Sequence, residues 1–189
     1  MIISLSGALG SGKSTIAQML ADKLTWPRYY IGGLRRKKAE EKGLTLAEYN
    51  KLGENDPITD QEVDIYQADL GEKEDNFVIE GRTSWYFIPS SFKIYLDVVP
   101  EEGAKRIFKS LQSSNNRNED KSLNSWEDVL RSNQNRVQSD CLRYKNYYNI
   151  DVYDPKNYDF YLDTTNLNPT EVFEAVFKAV ELELDKRKN

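Results

Sequence analysis

An α/β domain, with a parallel β-sheet covered by helices on both faces, is the fold that the sequence predicts. Three observations carry it. Short apolar runs alternate with helical patterns, a glycine-rich loop joins the first run to the first helix, and 189 residues suit one domain with a sizeable core.

Ile2-Ile3-Ser4-Leu5-Ser6 reads as the first strand, and Gly7-Ala8-Leu9-Gly10-Ser11-Gly12-Lys13-Ser14 follows it directly. The spacing G-x-x-x-x-G-K-[ST] is that of a phosphate-binding P-loop. A strand opening through such a loop into a helix gathers backbone N–H groups, a helix N-terminus and an ammonium around one small volume. That volume suits a triphosphate. Gly7, Gly10, Ser11, Gly12, Lys13, Ser14 and Thr15 are the expected ATP contacts, with Lys13 on the β/γ-phosphates and Ser14 on Mg2+. The helix should run to about Leu24, burying Ile16, Met19, Leu20 and Leu24, until Trp26-Pro27 stops it.

Arg28-Tyr29-Tyr30-Ile31 is expected as a second short strand, ended by Gly32-Gly33. A polar helix from Leu34 to Gly43 follows. Thr45 and Glu48 have capping-box spacing and open another helix to about Leu52. Asp56-Pro57 restarts the chain, and Ile58, Val63, Ile65 and Tyr66 support a further helix toward Leu70. Three helices between consecutive strands suggest an inserted lobe that holds the acceptor. Asn76-Phe77-Val78-Ile79-Glu80-Gly81-Arg82 is the third strand, apolar in mid-run and charged at its carboxyl end, where ligands of parallel sheets sit. Lys93-Ile94-Tyr95-Leu96-Asp97 is the fourth, and Pro100-Glu101-Glu102 opens a helix. Residues 112–125, rich in Ser and Asn, read as a mobile loop, and a long helix spans about Trp126 to Tyr148. Tyr158 to Asp163 is the last strand. The terminal helix starts at Pro169 and carries Val172, Phe173, Val176, Phe177, Val180 and Leu184.

Composition narrows the function classes. A net charge of −5 argues against broad nucleic-acid binding, so anions must be met by local arginine clusters. Arg35-Arg36-Lys37-Lys38 resembles a basic patch, yet Glu40 and Glu41 follow at once. The chain has no His, which removes imidazole metal sites and a His general base. Cys141 is its one cysteine, which points to a reducing compartment. Met-Ile-Ile leads straight into the first strand, and no apolar run approaches membrane-spanning length, so a cytoplasmic protein without a membrane partner is expected.

The P-loop, Gly32-Gly33-Leu34-Arg35-Arg36, Gly43-Leu44-Thr45-Leu46-Ala47-Glu48-Tyr49, Ile79-Glu80-Gly81-Arg82 and Arg136-x-x-x-Asp140-x-x-Arg143-Tyr144 occur in the order seen in cytidylate kinases. The chain resembles the short, archaeal-type form of that family over nearly its full length. The resemblance implies a three-layer P-loop kinase with a five-stranded parallel sheet of order 2-3-1-4-5. It also implies one domain with a core of 1–31, 76–111 and 149–189, a monophosphate-binding insertion at 32–75, and a lid with the long helix at 112–148. The implied reaction is transfer of the ATP γ-phosphoryl group to CMP or dCMP, with Mg2+, by a monomer. A UMP, shikimate- or gluconate-type kinase, or a nucleotide-gated binding protein, is the alternative.

By this resemblance Arg36, Arg82 and Arg136 hold the acceptor phosphate, Asp140 contacts the ribose, Arg143 bridges toward the transferring group, and Arg106 packs on the donor adenine. Lys13, Arg136 and Arg143 would be catalytic. The charge argument is independent of the resemblance: a triphosphate and a monophosphate must be brought into contact, so cations are needed from both sides. Arg36, Arg82, Arg117, Arg131, Arg136 and Arg143 offer them, and Arg136, Asp140 and Arg143 share one helical face. Glu80 and Asp97 both end strands near the P-loop, and Glu80 is preferred for holding Mg2+ through water. No general base is required, because the acceptor phosphate is largely a dianion at neutral pH. Two departures from the family pattern stand out. One residue fewer separates Gly32-Gly33 from Arg36, so Arg35 is the alternative phosphate ligand. Thr83-Ser84-Trp85 follows Gly81-Arg82, where longer bacterial cytidylate kinases have an aspartate for the cytosine amino group. Trp85, Tyr86 and Tyr66 could stack on the base or pack in the core.

Overall fold

The structure, a computed structural model, describes residues 1–112 and 123–188. Five parallel strands form one sheet in the order β2-β3-β1-β4-β5: β1 (Ile3–Gly7), β2 (Arg28–Tyr30), β3 (Val78–Glu80), β4 (Phe92–Asp97) and β5 (Phe160–Asp163). The expected sheet order is observed. β1 lies in the middle, with Leu5 beside Glu80 on one side and Ile94 on the other.

Alternation along β1 sorts its side chains to two faces. Ile3 and Leu5 pack with α1 (Lys13–Leu24) and α8 (Pro169–Lys188) through Ile16, Leu20, Val172, Val176 and Val180. On the opposite face Ile2, Phe77 and Ile79 meet Ile31, Val63, Leu70 and Ile88, contributed in part by α2 (Ile31–Glu41) and α4 (Ile58–Lys73). A third cluster joins α6 (Pro100–Leu111) to α7 (Trp126–Tyr148) through Ala104, Ile107 and Val129. Burying each of the Val, Leu, Ile and Phe side chains among these is worth roughly 1.5–3 kcal/mol.

Three local expectations need correction. Gly32 and Gly33 do not end a strand; they lie in the first turn of α2, which starts at Ile31 rather than Leu34. A Cβ on either would come within 2.8 or 2.6 Å of the Tyr30 ring, so these glycines make room for an aromatic side chain. A one-turn helix α5 (Ser84–Phe87) follows β3 where no element was expected. The buried face of α4 is also not the apolar one. Ile58, Ile65 and Tyr66 are exposed, whereas Thr59, Asp60, Asp64 and Gln67 are buried beside Val63 and Leu70. Arg117 and residues 113–122 of the loop expected at 112–125 lie outside the described residues.

α3 (Leu46–Gly53) begins with the capping box read from its sequence: Glu48 N–H donates to Thr45 Oγ1 at 3.2 Å and Thr45 N–H to Glu48 Oε2 at 2.7 Å. α7 has a second, Ser125 with Asp128. Helices α2, α3 and α4 stand between β2 and β3 as the inserted lobe, and α7 packs against α3 and α6.

Candidate active site

The carboxyl ends of β1 and β3 open into one cleft, as parallel sheets require at the point where strand order reverses. The P-loop forms one wall. Gly10 has φ +85°, and a Cβ there would lie 2.2 Å from Gly103 O, so the loop rests on the backbone of α6. Gly12, at φ +87°, starts α1 without a side-chain cap and without an acid in the first turn. The first N–H groups of the helix thus face the cleft uncapped, which is how a helix N-terminus receives an anion. Lys13 Nζ donates to Gly7 O at 3.0 Å and Ala8 O at 2.5 Å, keeping the ammonium over the loop.

Ser14 Oγ donates to Glu80 Oε1 at 2.7 Å, and Glu80 Oε2 accepts from Arg28 Nη2 at 2.9 Å. Arg28 was not foreseen; it stands at the start of β2 and orients the carboxylate at the end of β3. Among the described residues no group of three or more His, Cys, Asp or Glu could hold a metal ion. A hydroxyl beside one carboxylate does fit magnesium, which takes few protein oxygens and keeps phosphates and waters as its other ligands. Asp97 is differently occupied: it accepts from Tyr161 Oη and from Val98 N–H. Arg106, on α6, donates to Glu102 and to the carbonyls of Thr164 and Thr165, and it lines a second hollow with Gly10, Gly12, Thr15 and Pro169 behind the P-loop.

Across the cleft stand Arg35, Arg36, Arg82 and Arg136. They come from α2, the turn after β3, and α7. Arg35 Nε donates to Asn50 Oδ1 at 2.8 Å and its Nη1 to Asp60 Oδ1 at 2.7 Å. Arg82 Nε pairs with Asp140 Oδ2 at 2.7 Å, and Tyr153 Oη joins both. Arg35 Nη2 and Arg82 Nη2 are buried with no hydrogen-bond partner among the described residues. Burial is the largest influence on Arg82 and works against its charge, but Asp140, Tyr153 and Tyr144 together outweigh it and raise its pKa. Asp140 answers in kind: burial pushes its pKa up, and Arg82, Arg143 and Arg136 together hold it below the ordinary carboxylate value.

Arg143 is where expectation and structure part. It shares the α7 face with Arg136 and Asp140 but does not line the cleft. Its guanidinium is fully buried, with Nη1 on Asp60 and Nη2 on Asp140, both at 2.5 Å. In this conformation it ties α7 to α4, because two carboxylates lie between it and the cleft. Arg131 is exposed on α7 beside Asp128 and is not part of the cleft wall. Trp85 is buried and Tyr66 exposed, and neither they nor Tyr86 line the cleft. Asp60, Asp64 and Thr83 do line it and were missed.

A P-loop facing a cationic wall across a cleft in a 2-3-1-4-5 parallel sheet defines a P-loop kinase. A shikimate kinase from Bacteroides thetaiotaomicron shares the fold, with a TM-score of 0.61 at 16% identity over 98% of both chains. Residues 2–166 match the cytidylate kinase-like family, and the chain belongs to it. It is 37% identical to the cytidylate kinase of Natronomonas pharaonis over 95% of this chain and 89% of that one. It is 30% identical to the cytidylate kinase of Methanobrevibacter smithii over 96% and 99%.

Proposed function

We propose that the protein transfers the γ-phosphoryl group of ATP to CMP or dCMP, giving ADP and the nucleoside diphosphate. The observation that carries the acceptor class is the pair of buried guanidinium nitrogens on Arg35 and Arg82 that have no hydrogen-bond partner among the described residues, within a cleft wall that also holds Arg36 and Arg136. Four guanidinium groups on one side suit an acceptor that is itself a phosphate. A shikimate-type acceptor presents a hydroxyl, which needs less charge and wants a nearby base. The likeness to shikimate kinase, at 16% identity, concerns the fold.

ATP lies with its β- and γ-phosphates on the backbone of Gly7 to Thr15 and under Lys13. Arg106, in the hollow behind the loop, flanks the adenine. Arg35, Arg36, Arg82 and Arg136 take the acceptor phosphate, and Asp140 orients Arg82 before contacting the ribose. Ser14 and, through water, Glu80 hold Mg2+, which when bound neutralises charge on the β- and γ-phosphates. Lys13 and Arg136 follow the transferring group, so catalysis is alignment and charge neutralisation without a proton acceptor. Arg143 keeps Asp60 and Asp140 in place. Residues 32–75 form the acceptor-binding insertion and 112–148 the lid and its helix. The reading is of a monomer working on free nucleotides in the cytoplasm, with the cleft lined by the described residues of one chain. No helix among the described residues is long and apolar enough to cross a membrane.

ADP release measured with CMP, dCMP, UMP, AMP, GMP and shikimate tests the assignment. CMP or dCMP should raise it far above the rate with ATP alone. Stimulation by shikimate only, or by none of the six, would overturn it.

A further inference from the structure

The carboxylate that ends β3 is held from two directions, and only one of them belongs to the cleft. Ser14 and Glu80 both line it, with Ser14 Oγ donating to Glu80 Oε1 at 2.7 Å. The other oxygen, Oε2, accepts from Arg28 Nη2 at 2.9 Å, and Arg28 is not among the lining residues. Its place is set from the exposed side of α1. Gln18 Oε1 accepts from Arg28 Nη1 at 2.9 Å, while Gln18 Nε2 donates to Asp22 Oδ1 at 2.7 Å and so keeps the amide oxygen turned to the guanidinium. On its other flank the guanidinium carbon lies 5.5 Å from the centre of the Tyr30 ring. A chain of four side chains, Asp22, Gln18, Arg28 and Glu80, thus runs from the surface to the metal-side carboxylate.

The two oxygens of Glu80 are left in different states. Ser14 gives its proton to Oε1, which leaves the lone pairs of its own Oγ for a cation among the phosphates. Oε2 already carries a guanidinium, so a divalent cation gripped by both oxygens would have to share Oε2 with a positive charge. The chelating grip is closed, and a contact through water is not. Mg2+ and Ca2+ differ in this demand: Mg2+ keeps several waters beside its phosphate oxygens, whereas Ca2+ takes about six to eight oxygens and accepts both oxygens of one carboxylate.

We propose that Arg28 is a positioning residue that sets the metal preference of the donor site, favouring Mg2+ over Ca2+ by holding Glu80 Oε2. This rests on the donor-side reading above, with Mg2+ at Ser14 and Glu80, and does not depend on which acceptor is used. Arg28 acts through Glu80 alone.

The test uses the full-length protein in excess over ADP. Mn2+ is bound to the complex, and its free concentration is read by electron paramagnetic resonance while Mg2+ or Ca2+ displaces it. The unmodified protein should release Mn2+ at lower concentrations of Mg2+ than of Ca2+. Arg28→Met should shift the ratio of the two displacing concentrations toward Ca2+ by about tenfold. Arg28→Lys should keep most of the preference, since an ammonium still covers Oε2, and Gln18→Ala, at an exposed position, should lose part of it. In a Glu80→Gln background Arg28→Met should no longer move the ratio, because no chelating carboxylate remains to be opened. A general loosening of the site would weaken both metals together and leave their ratio alone. An unchanged ratio in Arg28→Met, or in Gln18→Ala should the first variant not fold, would overturn the assignment while the kinase reading stands; so would the same shift in the Glu80→Gln background. Mn2+ binding by protein and ADP no tighter than by ADP alone would overturn the donor-side reading itself, and this inference with it.

Discussion

The P-loop side of the cleft is lined mainly by one unbroken stretch, Leu9 to Thr15, shaped by glycines and the start of α1. The opposite side is assembled from Arg35 on α2, Asp60 and Asp64 on α4, Arg82 after β3, and Arg136 and Asp140 on α7. The first is backbone, with its helix end left uncapped. The second is a network of buried charge in which Asp60 takes Arg35 and Arg143, and Asp140 takes Arg143 and Arg82. Function and stability are therefore separable at the P-loop and joined across from it. The Lys13 ammonium rests on loop carbonyls rather than on a carboxylate of the network, whereas any guanidinium taken from the network leaves a buried carboxylate short of a cation.

The largest effect expected is at Arg143. Arg143→Met should cost about 3–5 kcal/mol of unfolding free energy, because Asp60 and Asp140 stay buried with one cation fewer each. Urea unfolding reads this directly, and a loss under ~1 kcal/mol would mean that the network is not under the tension described. Lys13→Ala should do the reverse, slowing ADP release on the order of 10²–10³-fold while the urea midpoint stays put. A matching drop in stability would erase the contrast between the two sides.

The same contrast decides what could be read in the chain. A P-loop is local, so Gly7, Gly10, Gly12, Lys13 and Ser14 fall within one motif, and the 2-3-1-4-5 sheet follows with the family. The arginine side is non-local. Arg82, Arg136 and Asp140 were legible only through the order of motifs, and Arg143 was expected at the reacting group by resemblance; its helical spacing gives a shared face but not what lies between that face and the cleft. Asp60 and Asp64 escaped for another reason. Hydropathy selects the apolar stripe of a helix, and on α4 that stripe, Ile58 and Ile65, is exposed while Asp60 turns inward to Arg35 and Arg143 and Asp64 to Tyr148, Thr83 and Gln67. Acids at i and i+4 were the available signal, but such spacing also marks solvated faces.

Two carboxylates of the network sharpen the comparison further through pH. Asp140, between guanidinium groups, has a lowered pKa, so its contribution is full above the unfolded value and disappears as pH falls through the folded one. Asp64 sits among neutral donors with Asp60 near, and its pKa is raised to about 6, chiefly by burial. Between about 4 and that value the folded state binds the extra proton, so Asp64 favours folding at low pH and loses that contribution as pH rises. Asp64→Asn should therefore gain on the unmodified protein by about 2 kcal/mol between pH 4.5 and 7.5. Asp140→Asn should keep a near-constant deficit over that range, and the deficit should shrink only as pH falls below about 4. Urea unfolding at several pH values separates the two, and parallel curves for both variants would show that their surroundings do not differ as described.

The smallest effect concerns how helices begin. α1 starts at Gly12 with no side chain over its N–H groups, while α3 closes its own first turn with Thr45 and Glu48. An uncapped start costs stability until an anion arrives; a capped one is satisfied beforehand. Thr45→Ala should therefore cost about 1 kcal/mol whether or not ATP is present. Because α3 carries Asn50, which accepts from Arg35 Nε at 2.8 Å, fraying its first turn should also raise the KM for CMP a few-fold and leave the KM for ATP unchanged. The split between the two Michaelis constants is the informative part. Were ATP to suffer equally, α3 would have to support the P-loop wall as well, and the division of the cleft into a self-contained backbone side and a cross-braced arginine side would not hold.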